Sequence, residues 1–123
     1  MSCRILVTDD DELVLLSVQS LLESEGYAVA TAASGQDALD RSAEERFDLF
    51  LLDIIMPGLS GLEVCKALRA KPEYRETPIV MLTAKSAEAD RQQGMEAGAT
   101  RFLPKPIQPE RLIEVLREVC AGA

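Results

Sequence analysis

Residues 47–61 read FDLFLLDIIMPGLSG. The run Phe47 to Leu52 is nearly all apolar, the pattern of a strand buried on both faces of a parallel sheet. Asp53 ends it at once, and Pro57, Gly58, Ser60 and Gly61 then spell a loop. A strand covered on both sides needs helices above and below it, so the flanking sequence should alternate strand and helix.

It does so five times. Upstream, Arg4 to Thr8 is a strand, and Asp11 to Glu25 carries Val14, Val18, Leu21 and Leu22 at helical spacing, with Gly26 placed as a terminating glycine. Tyr27 to Ala32 is the second strand. Ser34 caps a helix to about Glu45 that turns Ala38, Leu39 and Ser42 inward. Downstream of the loop, Leu62 to Ala70 is a helix with Leu62, Cys65 and Leu68 inward, and Pro78 to Thr83 is the fourth strand. Ser86 caps a helix to about Ala97, ended by Gly98; its interior holds Gly94, and Met95 is its one large apolar residue. Arg101, Phe102 and Leu103 form a short fifth strand closed by Pro104, a residue tolerated at a sheet edge. Pro109 opens the last helix, whose Leu112, Ile113, Leu116 and Val119 are expected in the core. Five βα units joined by short connections predict a doubly wound parallel sheet of order 2-1-3-4-5 with helices on both faces, in one domain of residues 1–123.

Composition narrows the function. The net charge is −8, and residues 1–60 carry 12 acids against 3 bases while residues 61–123 carry 9 against 10. An acidic domain is a poor partner for duplex nucleic acid or an anionic membrane, so neither direct contact is expected. The longest apolar runs are far too short to span a bilayer, and no signal peptide precedes Asp9, Asp10 and Asp11. The chain stops soon after its last amphipathic segment, so no output domain is expected on it. The complete lack of His removes His ligands, bases and nucleophiles. Cys3, Cys65 and Cys120 are three, far apart and without a CxxC pair, which argues against a disulfide or a structural zinc and favours inert packing residues in a reducing cytoplasm.

The chemistry collects where the strands end. Strand 1 runs into Asp9 and Asp10, strand 3 into Asp53, strand 4 into Thr83 and strand 5 into Lys105. In the predicted order all of these reach the carboxyl edge of the sheet, and strands 1 and 3 flank the switch point where ligands of open α/β sheets bind. Three close carboxylates repel one another unless a cation sits among them. Oxygen ligands without His or Cys favour Mg²⁺. A carboxylate, a divalent metal, a lysine and a hydroxyl together suit phosphoryl transfer to an aspartate. Asp11 and Glu12, by contrast, suit the start of a helix, where acids complement its dipole.

Asp9-Asp10, Asp53 with Met56-Pro57-Gly58, Thr83-Ala84 and Lys105-Pro106, in that order at those strand ends, resemble the receiver domain of two-component response regulators over essentially the whole chain. The resemblance implies that Asp53 is the phospho-acceptor and that Asp9, Asp10, Asp53 and the backbone carbonyl of Ile55 bind Mg²⁺. It implies that Lys105 holds the phosphoryl group, that Thr83 and Phe102 rearrange on activation, and that the Lys105–Pro106 bond is cis. The expected donor is a histidine kinase or a histidine phosphotransfer protein, and the helix 4–strand 5–helix 5 face would act on an output partner. The expected role is a cytoplasmic signalling domain, not an enzyme, that assists its own phosphorylation and dephosphorylation. Ile107 stands where such domains often have Phe, and Ser60 where Asp is common. Thr100 and Arg101 replace the acids of one dimerising subfamily.

Two other classes compete. A phosphatase of the haloacid dehalogenase type would use Asp9 as nucleophile and Asp11 as its partner, but Leu13 stands where that family has Thr and no acidic pair follows strand 4. A flavin carrier on the same architecture needs hydroxyls and amides after strand 1, where three aspartates would repel the phosphate.

Overall fold

The computed structural model describes residues 3–83 and 88–121. Five parallel strands form one sheet: β1 (Arg4–Thr8), β2 (Ala28–Ala32), β3 (Leu49–Asp53), β4 (Ile79–Thr83) and β5 (Arg101–Pro104), in the order β2-β1-β3-β4-β5. The helices are α1 (Glu12–Ser24), α2 (Gly35–Glu44), α3 (Gly61–Arg69), α4 (Glu88–Ala97) and α5 (Pro109–Ala121), with a 3₁₀ turn at Pro72–Tyr74. The expected cap at Ser86, and Ala84 of the Thr83-Ala84 pair, lie outside the described residues.

Strand alternation divides the core in two. Ile5 and Val7 of β1, Leu49 and Leu51 of β3, and Val80 and Leu82 of β4 pack with Leu15, Val18 and Leu22 of α1 and Leu112, Val115 and Leu116 of α5. Their neighbours Leu6, Phe50, Leu52, Ile79 and Met81 face the other way, onto Ala38 of α2, Val64, Cys65 and Leu68 of α3, and Ala97 of α4. Every residue of β3 and β4 is buried, as two central strands covered on both faces require.

Helix starts follow local chemistry. The Asp11 side chain accepts from Leu13 N at 2.9 Å and Val14 N at 3.4 Å, the Ser34 side chain accepts from Asp37 N at 3.1 Å, and Ser60 and Glu63 form a reciprocal capping box. Gly26 and Gly98 end α1 and α4 with φ of 93° and 107°.

Several expectations shift by a residue or two. The third strand begins at Leu49 rather than Phe47, because the Phe47 N–H bonds to the Tyr74 hydroxyl at 3.3 Å instead of a neighbouring strand. Leu15 rather than Val14 is buried on α1, Val64 rather than Leu62 on α3, and Val115 rather than Ile113 on α5. In each helix much of the expected stripe is kept: Val18 and Leu22, Cys65 and Leu68, and Leu112 and Leu116 are all buried.

The cysteine reading is corrected more deeply. Cys3, just before β1, is bonded to Cys120 near the end of α5, across a Cα–Cα distance of 6.2 Å. The cysteine count therefore gives no argument for a reducing compartment. Cys65 alone is free among the described residues, buried, with its Sγ donating to Ala97 O at 3.4 Å, as a packing residue would be.

Candidate functional site

Backbone bonds between neighbouring strands set the chemistry at one sheet edge. Asp9 N–H donates to Ala32 O at 3.2 Å, Ile54 N–H to Leu82 O at 3.1 Å, and Lys105 N–H to Thr83 O at 2.8 Å. Asp9 and Asp10 thus follow β1, Asp53 and Thr83 are the last residues of β3 and β4, and Lys105 is the first beyond β5. The Lys105–Pro106 bond is cis.

The side chains converge. Lys105 Nζ lies 2.9 Å from Asp9 Oδ2 and donates to Asp53 Oδ2 at 3.0 Å. The approach to Asp9 is an ion pair without hydrogen-bond direction, so Asp9 Oδ2 is buried with its hydrogen-bonding capacity unused. Asp9 Oδ1 accepts from Asp11 N at 2.9 Å, and Asp53 Oδ1 from Ile55 N at 3.4 Å. Asp9 is 0% and Asp53 6% exposed, whereas Asp10 is open to solvent.

Two charged groups answer to this arrangement. Burial pushes the Asp53 carboxyl above its ordinary value; the Lys105 hydrogen bond opposes this, and the Asp9 charge adds to it. Burial pulls the Lys105 ammonium down, but its two carboxylate partners outweigh that and leave it raised, hence firmly protonated.

One carboxylate oxygen from each of Asp9, Asp10 and Asp53 lies within 4.8 Å of the others. All are hard oxygen donors, and the buried Oδ2 of Asp9 accepts no hydrogen bond, so the set fits a small divalent cation such as Mg²⁺. These residues, Ile55 and Lys105 line an open cleft of about 660 Å³. Beside it, between α1 and the turn leading into α5, runs an apolar groove of about 460 Å³ whose walls include Leu13, Val14, Ile107 and Leu112.

The expected switch pair is split between two layers of this edge. Thr83 is buried at the end of β4. Phe102 is half-buried in β5, with Met81 as its register partner, so Thr83 stands two residues further along the same sheet face. Gly61, expected in the loop, is the first residue of α3 and belongs to the site: it packs on the backbone of Asp53, and a Cβ there would lie 2.2 Å from Asp53 O.

Known proteins share this fold. The family model of the response regulator receiver domain matches residues 5–117. The response regulator MprA of Mycobacterium bovis is 44% identical over 117 residues, which cover 95% of this chain and 50% of MprA. Chemotaxis protein CheY4 of Vibrio cholerae, a solved structure, superposes with a TM-score of 0.93 at 38% identity, covering 97% of this chain and 99% of CheY4. The receiver domain of the sensor histidine kinase PA1611 from Pseudomonas aeruginosa superposes at 0.90 with 29% identity, over 98% of this chain and 99% of that one, and holds a magnesium ion in its active site cleft. The chain spans half or less of the length of the curated relatives it matches. With a family match over residues 5–117 and a fold and sheet order in agreement with it, the chain belongs to the response regulator receiver domains of two-component systems.

Proposed function

We propose that Asp53 accepts a phosphoryl group from the phosphohistidine of a histidine kinase or a histidine phosphotransfer protein. A carboxylate oxygen of Asp53 attacks phosphorus, the bond from phosphorus to the donor imidazole nitrogen breaks, and that nitrogen keeps the electron pair. The observation that carries this reading is the position of Lys105 Nζ, 2.9 Å and 3.0 Å from the carboxylates of Asp9 and Asp53. This supports a role for Lys105 in pairing with the incoming phosphoryl oxygens while it stays beside Asp53. A Mg²⁺ ion held by Asp9, Asp10, Asp53 and the backbone carbonyl of Ile55 would offset negative charge on the same oxygens. The acyl phosphate carries about −2 charge at neutral pH where the carboxylate carried about −1, so negative charge grows beside Thr83 and Lys105. In this reading Thr83 turns towards that charge, Phe102 follows, and the α4–β5–α5 face changes shape for a downstream partner.

A protein donor suits the surroundings. Leu13 on α1 is 74% exposed and lines the apolar groove beside the acidic cleft, and Ile55 is 66% exposed at the cleft itself. Apolar side chains this open to water favour burial against another protein. Among the described residues no helix is long and apolar enough to cross a membrane.

The test is the mass of the intact protein after incubation with phosphoramidate and Mg²⁺. Wild type gains one phosphoryl group, and a chelator present from the start prevents it. Asp53→Asn abolishes the adduct, since an amide forms no acyl phosphate, and Asp9→Asn only weakens it. An adduct kept by Asp53→Asn and lost by Asp9→Asn would place the nucleophile on β1 and overturn the reading in favour of a phosphatase-like site.

A further inference from the structure

The middle of α4 is shaped around the Phe102 ring. A Cβ placed on Gly94 would lie 2.6 Å from Phe102 Cε1 and 2.9 Å from Cζ, well inside the roughly 3.5 Å at which carbon atoms touch. The ring edge therefore occupies the volume that any other residue at position 94 would claim. One turn earlier the Arg91 guanidinium sits over the same ring, 5.5 Å from its centroid. Of residues 91–97 only Gly94 and Ala97 are buried, so holding this ring is much of what ties this part of α4 to the sheet. Glycine is the least favoured residue in a helix interior after proline, and nothing else about the position calls for it: its φ lies outside the left-handed region, in contrast to Gly98.

We propose that Gly94 and Arg91 form a seat for the Phe102 ring, and that Gly94 is the positioning residue that fixes the ring's resting place and so couples the end of β5 to α4. The proposal rests on the reading of Asp53 as acceptor and Phe102 as switch residue. Phe102 and Thr83 project from the same face of adjacent strands. If Thr83 moves towards a phosphorylated Asp53, the ring has somewhere else to go, and leaving the seat removes both the Gly94 contact and the Arg91 cation–π contact. Phosphorylation then reads out as a loosened α4. A methyl group at position 94 drives the ring from its seat without any phosphoryl group, and so shifts the resting population towards the activated arrangement.

The experiment is an aromatic carbon–proton NMR spectrum of protein carrying ring-labelled Phe, with Phe102 assigned from a Phe102→Leu variant. Wild type is compared with and without Mg²⁺ and beryllofluoride, a phosphoryl mimic whose bound fluorine signal independently reports loading at Asp53. In unloaded Gly94→Ala the Phe102 signals should move at least half of the way that beryllofluoride moves them in wild type, while Phe47 and Phe50 hold still. Arg91→Ala, on the exposed side of the helix, should move them in the same direction by a smaller amount. Phe102 signals that stay in place in Gly94→Ala, or that move opposite to the beryllofluoride shift, overturn the proposal. Should Gly94→Ala not fold, an unmoved Phe102 in Arg91→Ala overturns the seat. Absence of a bound fluorine signal in wild type is a failure of the acceptor reading instead, and ring displacement in the unloaded variants still decides the seat.

Discussion

Gly61→Ala should damage phosphorylation far more than stability alone explains, because the added methyl group strikes the acceptor's own backbone. The new Cβ would lie 2.2 Å from Asp53 O and 2.9 Å from both Asp53 C and Ile54 Cα. Relief requires about 1 Å of separation to restore ordinary contact. None of the struck atoms is a flexible side-chain end; they belong to the end of a central, fully buried strand. Overpacking of this kind costs about 1–3 kcal/mol, and the rigid target argues for the upper part of that range. A displacement of about 1 Å at a reacting group costs roughly 100-fold in rate. Gly35→Ala is the matched control. Its Cβ would meet Leu59 Cβ, Leu59 O and Val64 Cγ2, each at 2.8 Å, so it should also lose about 1–3 kcal/mol while leaving Asp53 in place. Urea unfolding measures the first quantity, and the initial rate of adduct formation with phosphoramidate and Mg²⁺ measures the second. If both variants phosphorylate at similar rates, or Gly61→Ala keeps the wild-type rate, the link from Gly61 to Asp53 is refuted.

Two further outcomes follow from the site. The folded-state pKa of Asp53 is raised above its ordinary 3.8, chiefly by burial. The folded protein therefore binds more protons than the unfolded chain between those two values, and stability falls as pH rises through that window and stays lost above it. Asp53→Asn should raise the urea midpoint at pH 7 in the presence of chelator, with the gain shrinking towards pH 4; an unchanged or lower midpoint at pH 7 contradicts the burial argument. Ile55, exposed beside the acceptor, cannot orient a water for hydrolysis. Ile55→Asn should shorten the phosphoryl lifetime by up to about tenfold, less than the roughly 10²–10⁴ of a true general base; decay followed by intact mass that is unchanged or slower argues against that role.

The architecture was legible because its signals are local and periodic. Phe47–Leu52 reads as doubly buried from its composition, and the charged residues that punctuate the strand ends mark one sheet edge once the order is inferred. Asp9, Asp53 and Lys105 meet as that order implies. What escaped depends on contacts between distant elements. Nothing near Cys3 or Cys120 says that the start of β1 and the end of α5 are neighbours. The Val115-for-Ile113 exchange turns on where the edge of the buried stripe falls: Leu112, Val115 and Leu116 share the face that packs in the cluster with Leu103 and Val80, and hydrophobicity alone does not separate Val115 from Ile113. Gly61 and Gly94 are informative only through what touches them, Asp53 in one case and Phe102 in the other, and composition at those positions carries no sign of it.

The bond between Cys3 and Cys120 turns most of this chain into a covalent ring. It spans a sequence separation of 117 residues while its two Cα atoms stay 6.2 Å apart. A protease that nicks the backbone anywhere between them leaves a molecule whose mass changes only by the water added, and reduction is needed before two fragments separate. The same closeness gives the domain a single point of entry and exit. A host protein could carry it inserted in a surface loop with short connectors, and a circular permutant could be opened elsewhere with its old ends sewn together, without disturbing the acidic edge formed where the strands finish.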